Sequence, residues 1–367
     1  MGWARALGAA VVAATLAALA STSPAVAQAA AAAPPAPPPG PRGPPPRVIT
    51  KVTGNIYRAG NGNWWSLFVV TSGGIILVDP INPDFAAWLK GQLAQRYPGV
   101  PVRYVIYSHS HWDHIEGGAV FADTAKFIAQ EGVARNMDGR FPPMPGDMVD
   151  RNDNGTFEQE EIDIPANTHP GICGMPPFWF KHQDRNGDGH MTPAELFADV
   201  VPPDITYSDR MTLKLGGETV QLIFPGKNHA DDGTVLYFPA ERVVFSTDFP
   251  ADALVGTSMR SLPSACGAFD QHPMSEWIKS YRTIEALDFD ILAQGHGSAL
   301  FTKADVTEGR EYFEYLRDQV QAAMSRGESL EQMRHTLMLE KYKDWAYYDR
   351  LRVMNIEAAY NNLRIYK

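Results

Sequence analysis

One stretch constrains this chain more than any other: Tyr107-Ser108-His109-Ser110-His111-Trp112-Asp113-His114. It follows a mostly apolar run, Val102 to Tyr107, that reads as a short buried strand. Four metal-ligating side chains therefore leave the end of a strand within six residues. In an extended segment His109, His111 and Asp113, at i, i+2 and i+4, project from one side, and His114 points elsewhere. One cation does not need that break in alternation. Two adjacent cations do, because their ligands converge on two points about 3.5–4 Å apart.

The pattern H-x-H-x-D-H resembles the signature of the metallo-β-lactamase superfamily, and the resemblance runs from about Val48 to Gly297 with one large insertion. His229, in Phe224-Pro225-Gly226-Lys227-Asn228-His229, matches the third histidine. Asp248, closing Val243-Val244-Phe245-Ser246-Thr247-Asp248, matches the aspartate that bridges both metals. His296, in Gln294-Gly295-His296-Gly297, matches the last histidine. Asp79, ending Ile75-Ile76-Leu77-Val78-Asp79, matches an aspartate behind the metal loop. The resemblance implies an α/β fold, an αββα four-layer sandwich with the metals at its edge. It places His109, His111 and His229 on one metal, Asp113, His114 and His296 on the other, and Asp248 between them. Imidazoles and carboxylates suit Zn²⁺, so two zinc ions are expected, with iron or manganese as alternatives.

The chemistry implied is hydrolysis. Two zincs bring a bridging water from a pKa of roughly 15.7 to about 7, and the resulting hydroxide attacks a polarised carbonyl or phosphoryl centre. Asp113 orients that nucleophile and shuttles its proton. The substrate class expected is an ester, lactone, thioester or amide, β-lactams included. The histidine set resembles the lactonase and thioester-hydrolase branches more than the cysteine-bearing lactamases. Trp64, Trp65, Phe249 and Phe269 are candidates for an apolar pocket beside the metals. Two other functions fit the same frame: an iron-dependent oxidoreductase or dioxygenase, and a calcium-responsive binding module with a degenerate metal site.

Residues 138–201 interrupt the family pattern and carry signals of a different kind. Asp150 to Glu161 and Asp184 to Glu195 each fit the twelve-residue EF-hand calcium loop. Calcium takes roughly six to eight oxygens. The first loop offers Asp150, Asn152, Asn154, the carbonyl of Thr156 and Glu161; the second offers Asp184, Asn186, Asp188, the carbonyl of His190 and Glu195. Gly155 and Gly189 permit the sharp turn, and Phe157 and Met191 would pair the loops back to back. The prolines before the first loop rule out the usual entering helix there. Two structural calcium ions are expected, on an insert that forms part of a rim and not of the reaction centre.

The remaining segments complete the organisation. Arg5, the apolar run Ala9 to Ala20 and Ala25-Val26-Ala27 read as a signal peptide over residues 1–27, which implies a periplasmic or secreted protein. Residues 28–46, almost wholly Ala, Pro and Gly, read as a tether. The sandwich domain spans 47–302, and residues 303–367 read as C-terminal helices packed on it. Their stripes are Phe313, Leu316, Val320, Met324 and Val353, Ile356, Tyr360, Leu363. Cys173 and Cys266, the two cysteines, match no ligand position; they either pair as a disulfide or stay as two buried thiols. The net charge of −10 argues against nucleic acid as a partner, and no membrane span is expected in the mature chain. A small molecule is the expected substrate; the oligomeric state is not legible.

Overall fold

The computed structural model describes residues 46–141, 150–162, 177–250, 260–263 and 272–366, all within the compact unit Pro45–Lys367. Residues 1–45, on which the expected signal peptide and nearly all of the expected tether fall, lie outside the described residues, as do Cys173, Cys266 and Phe269.

Alternating apolar strands dictate two sheets. The first runs in chain order: β1 (Arg47–Thr53), β2 (Ile56–Asn61), β3 (Trp64–Thr71), β4 (Gly74–Val78), β5 (Val102–Ile106), β6 (Lys126–Gln130) and β7 (Ile205–Tyr207). Its first four strands pair antiparallel and its last four parallel. The second holds β8 (Arg210–Leu215), β9 (Glu218–Ile223), β10 (Val235–Phe238), β11 (Val243–Ser246), β12 (Ile291–Gln294) and β13 (Leu300–Phe301), with β11 and β12 parallel. The β-rich stretch from Val48 to Tyr57 is divided between β1 and β2. Gly54, at φ +48°, turns the chain back so that Thr53 pairs with Ile56.

The period of two sorts side chains between layers. Leu67, Val69, Ile76, Val78 and Ile106 face Leu222, Leu236, Phe238, Val243 and Phe245 across the space between the sheets. Their neighbours Phe68, Ile75, Leu77 and Val105 point outward, against Phe85, Leu89 and Leu93 of helix Pro83–Arg96. That helix starts where Asn82 accepts from the Phe85 N–H at 2.9 Å, with Pro83 at its first position. Outer residues of the second sheet, such as Val244 and Leu292, pack on helices Met274–Glu285, Lys303–Ser325 and Tyr348–Ile365. Each fully buried leucine, isoleucine or phenylalanine contributes about 1.5–3 kcal/mol relative to exposure. The expected four-layer αββα sandwich with a C-terminal helical segment is the fold observed.

The last helix packs on the core through part of the expected stripe, Ile356 with Tyr360 and Leu363 beside it, and its most buried positions lie to one side of that stripe. Of Val353, Ile356, Tyr360 and Leu363 only Ile356 is fully buried; the buried face carries Leu351, Asn355, Ile356, Ala359 and Asn362. Two asparagines select it. Asn355 accepts from the Tyr312 hydroxyl at 2.6 Å and donates to the Pro263 carbonyl. Asn362 accepts from the Met274 N–H and donates to the His272 carbonyl. Trp345 stacks on Tyr312 and packs against this helical layer.

The described part of the insert is organised by its two loops. Phe157 and Met191 exchange backbone hydrogen bonds of 2.9 and 2.8 Å in an antiparallel bridge, so the loops stand back to back. Both are wired alike: Asp150 accepts from Asn154 and Gly155 N–H groups, Asp184 from those of Gly187 and Gly189. Glu161 and Glu195 fold back to accept from Arg151 and Arg185. Helix Pro177–Gln183 enters the second loop.

Candidate metal centre

The site grows from the end of β5. Past Ile106 the chain leaves the sheet, and its backbone is pinned from both sheets at once. The Ser108 N–H donates to Asp79 Oδ1 at 2.8 Å, and the Ser108 carbonyl accepts from Thr234 at 2.6 Å. His111 has extended dihedrals, after which Trp112–Ile115 form one helical turn. This corrects the extended geometry expected for the whole motif. Asp113 and His114 lie on the turn, and that is what carries them away from His109 and His111.

Two groups of ligand atoms result. His109, His111, His229 and Asp248 form one, and Asp113, His114 and His296 the other, with the donor atoms of each group within 4.8 Å of one another. Asp248 touches both. Its Oδ2 lies 3.4 Å from His109 Nε2, 3.4 Å from His229 Nε2 and 3.3 Å from His114 Nε2, and its Oδ1 lies 2.9 Å from His296 Nε2. All seven residues singled out in the sequence are brought together.

The electrostatics suit cations. Burial pulls the His111 imidazole well below its usual range, and neighbouring His109 and His229 add to this. Burial likewise lowers His229 to about 4, so both rings stay neutral donors. Burial opposes charge on His114 too, but the carboxylates of Asp113, Asp248 and Asp79 overcome it and push that ring up to about 10. Burial would raise Asp248, yet the imidazoles of His296, His114 and His229 hold it well below the ordinary carboxylate range. Among the described residues no lysine or arginine pairs with Asp79, Asp113 or Asp248. The buried His109 Nε2 finds no hydrogen-bond partner there. Convergent imidazoles around carboxylates that no lysine or arginine neutralises fit one or two divalent cations, which would take the place of the proton that the cluster otherwise holds on His114.

Asp79 sits behind the site, as the sequence suggested. Its Oδ2 accepts from Thr247 Oγ1 at 2.9 Å and faces His114 Nδ1 at 3.6 Å. Asp79 (φ 54°) and Asp248 (φ 57°) both hold left-handed backbone, which costs about 1–3 kcal/mol each and concentrates at functional sites.

The pocket candidates divide. Trp64 is at the site: its indole donates to Asp113 Oδ2 at 2.9 Å and its ring lies 5.5 Å from that of His296. Trp65 is buried under the Arg58 guanidinium, 4.4 Å from its ring centre, and lines nothing. Phe249 closes a small cavity behind His109 and His229 that also involves Ser108, Asn228 and Thr247. The ligand side chains most open to solvent are Asp113 at 26% and His229 at 18%, and Trp64 borders the first of them.

Two supports were not legible in the sequence. Arg58, 1% exposed, donates to the carbonyls of Gln294, Gly297, Ser298 and Ala299, which holds the loop of His296. Burial lowers its guanidinium to about 10. Glu116, just past the helical turn, is buried and accepts from Gln183 Nε2 of the insert. Neither residue carries a local signal, because each is defined by partners far along the chain.

Comparison with known proteins agrees with this geometry. The chain is 24% identical over 255 residues to the 2,4-dinitroanisole O-demethylase subunit alpha of Nocardioides sp. (strain JS1661), covering 69% of this chain and 58% of that protein. It is 22% identical over 243 residues to the linear primary-alkylsulfatase of Pseudomonas sp. (strain ATCC 19151), covering 62% of this chain and 41% of that protein. It thus spans about half the length of the curated relatives it matches. Among solved structures, the stereoselective inverting sec-alkylsulfatase Pisa1 from Pseudomonas sp. superposes with a TM-score of 0.60 at 14% identity, over 88% of this chain and 51% of that one. The model of the metallo-beta-lactamase superfamily matches residues 59–296, about two thirds of the sequence, and the chain belongs to that superfamily.

Proposed function

We propose that this chain is a metal-dependent hydrolase that cleaves an ester-type bond at a two-ion centre. The observation that carries this reading is the Asp248 carboxylate, in reach of both ligand groups. His109, His111 and His229 would hold the first ion, Asp113, His114 and His296 the second, and Asp248 both. Zinc suits this donor set best. Bound ions supply Lewis acidity and bring the pKa of water toward neutrality. Asp113, the more open carboxylate, orients the attacking water and accepts its proton, while the Trp64 indole fixes its other role as a ligand. The curated relatives are named for an aryl ether and for alkyl sulfates, so these two classes join esters, lactones, thioesters and β-lactams in the test. Turnover of one class by zinc-loaded enzyme, lost in Asp113→Asn, supports the proposal; no turnover of any class, with ions bound, contradicts hydrolysis.

We further propose that the two paired loops bind calcium as a structural staple. Their support is the shared wiring around Asp150 and Asp184 and the left-handed glycines Gly155 (φ 81°) and Gly189 (φ 85°) at matching positions. Binding to the native state alone raises stability with calcium concentration. Glu161→Gln with Glu195→Gln should therefore abolish the calcium-induced rise in melting temperature; an unchanged calcium response overturns the assignment. Export is proposed on the leader alone: protein from its native host should begin near Gln28 outside the cytoplasm, and Met1 retained on cytoplasmic protein contradicts it.

A further inference from the structure

The insert does not stop at a rim, as its lack of ligands suggested. Trp112, between His111 and Asp113, is 2% exposed and forms one apolar cluster with Phe157, Phe180, Met191 and Leu196, all four from the insert. Phe157 and Met191 are the residues that pair the two loops. Four positions on, Glu116 N–H closes the helical turn on the Trp112 carbonyl, and its buried side chain takes a hydrogen bond from Gln183, the residue before the second loop. The turn that carries Asp113 and His114 is therefore held by the insert at both ends. Three members of the other group lie outside that bracket, since His109 leaves β5 and His229 and Asp248 come from the second sheet; only His111 adjoins Trp112, with ring centres 5.8 Å apart.

We propose that Trp112 and Glu116 are positioning residues through which the insert sets the geometry, and hence the ion affinity, of the Asp113–His114–His296 group. The inference rests on the two-ion reading above. Its physical basis is that close-packed interiors transmit displacement, and that partners behind metal ligands fix their orientation. A loosened cluster lets the turn shift, which moves Asp113 and His114 together while His109, whose ring meets Ser108 Oγ at 2.9 Å, stays fixed at the end of β5.

Two variants in the insert test this without touching a ligand. Phe180→Ala opens the cluster, and Gln183→Leu, nearly isosteric, removes the donor to Glu116. Each is stripped of metal, confirmed folded by its unfolding transition and titrated with Co²⁺, with bound ions counted by elemental analysis and followed by absorption. A His296→Ala reference assigns which ion is lost. The expected result is an unchanged first ion and a second bound about 10- to 100-fold more weakly, with a visible spectrum shifted toward that of His296→Ala. Both ions bound as in the parent, or both weakened equally, overturns the proposal. If Phe180→Ala does not fold, Gln183→Leu decides alone. A parent chain that binds one ion at saturation removes the two-ion reading and this inference with it.

Discussion

Asp79 shows how much one side chain does here: it anchors the metal loop through Ser108, accepts from Thr247 of the second sheet and faces His114. Replacing it by asparagine removes one acceptor and the charge toward His114. Asp79→Asn should lower metal affinity by about 10- to 100-fold, measured by competition with a chromogenic chelator; unchanged affinity would mean the carboxylate is dispensable. His109, His111, Asp113 and His114 were legible from their spacing at a strand end, and His229, Asp248 and His296 from the resemblance of their segments to the superfamily's motifs. Arg58 was not, since its carbonyl partners lie 236 to 241 positions away and an isolated arginine in a strand says nothing of them. Trp112 reads as a bulky spacer between two ligands until the insert is seen around it.

At the scale of elements, β3 and β4 are near-continuous apolar runs set off by glycine turns, buried on both faces between the inter-sheet layer and the helix outside it. The helical turn at Trp112–Ile115 was unreadable: four residues are too few for a 3.6-residue period, and its shape is set by contacts with Ile81 and the insert. In the final helix the stripe of Ile356, Tyr360 and Leu363 does meet the core, but the buried asparagines beside it were not legible, because their partners lie far along the chain. Leu236→Ala, in the inter-sheet layer, should cost about 2–5 kcal/mol in urea unfolding. Asn355→Ala should cost about 1–3 kcal/mol, because the Tyr312 hydroxyl and the Pro263 carbonyl lose their buried partner. A neutral result for Asn355→Ala would return the helix to its apolar stripe as the determinant of its face.

At the scale of the molecule, two sheets meet at one edge, and each supplies what the other lacks. The first contributes His109, His111, Asp113 and His114; the second contributes His229, Asp248 and His296. Among the described residues no helix is long and apolar enough to cross a membrane. The insert adds a third contributor, through side chains that bind no ion of the centre. Asp248 is where all of this converges, so the count of ions it allows is the most direct test. Protein loaded with zinc, freed of excess and analysed for metal should hold two ions per chain, and Asp248→Ala should hold one or none, with activity down by more than about 100-fold. A parent chain that saturates at one ion, or an Asp248→Ala variant that keeps two ions and its turnover, would contradict the account.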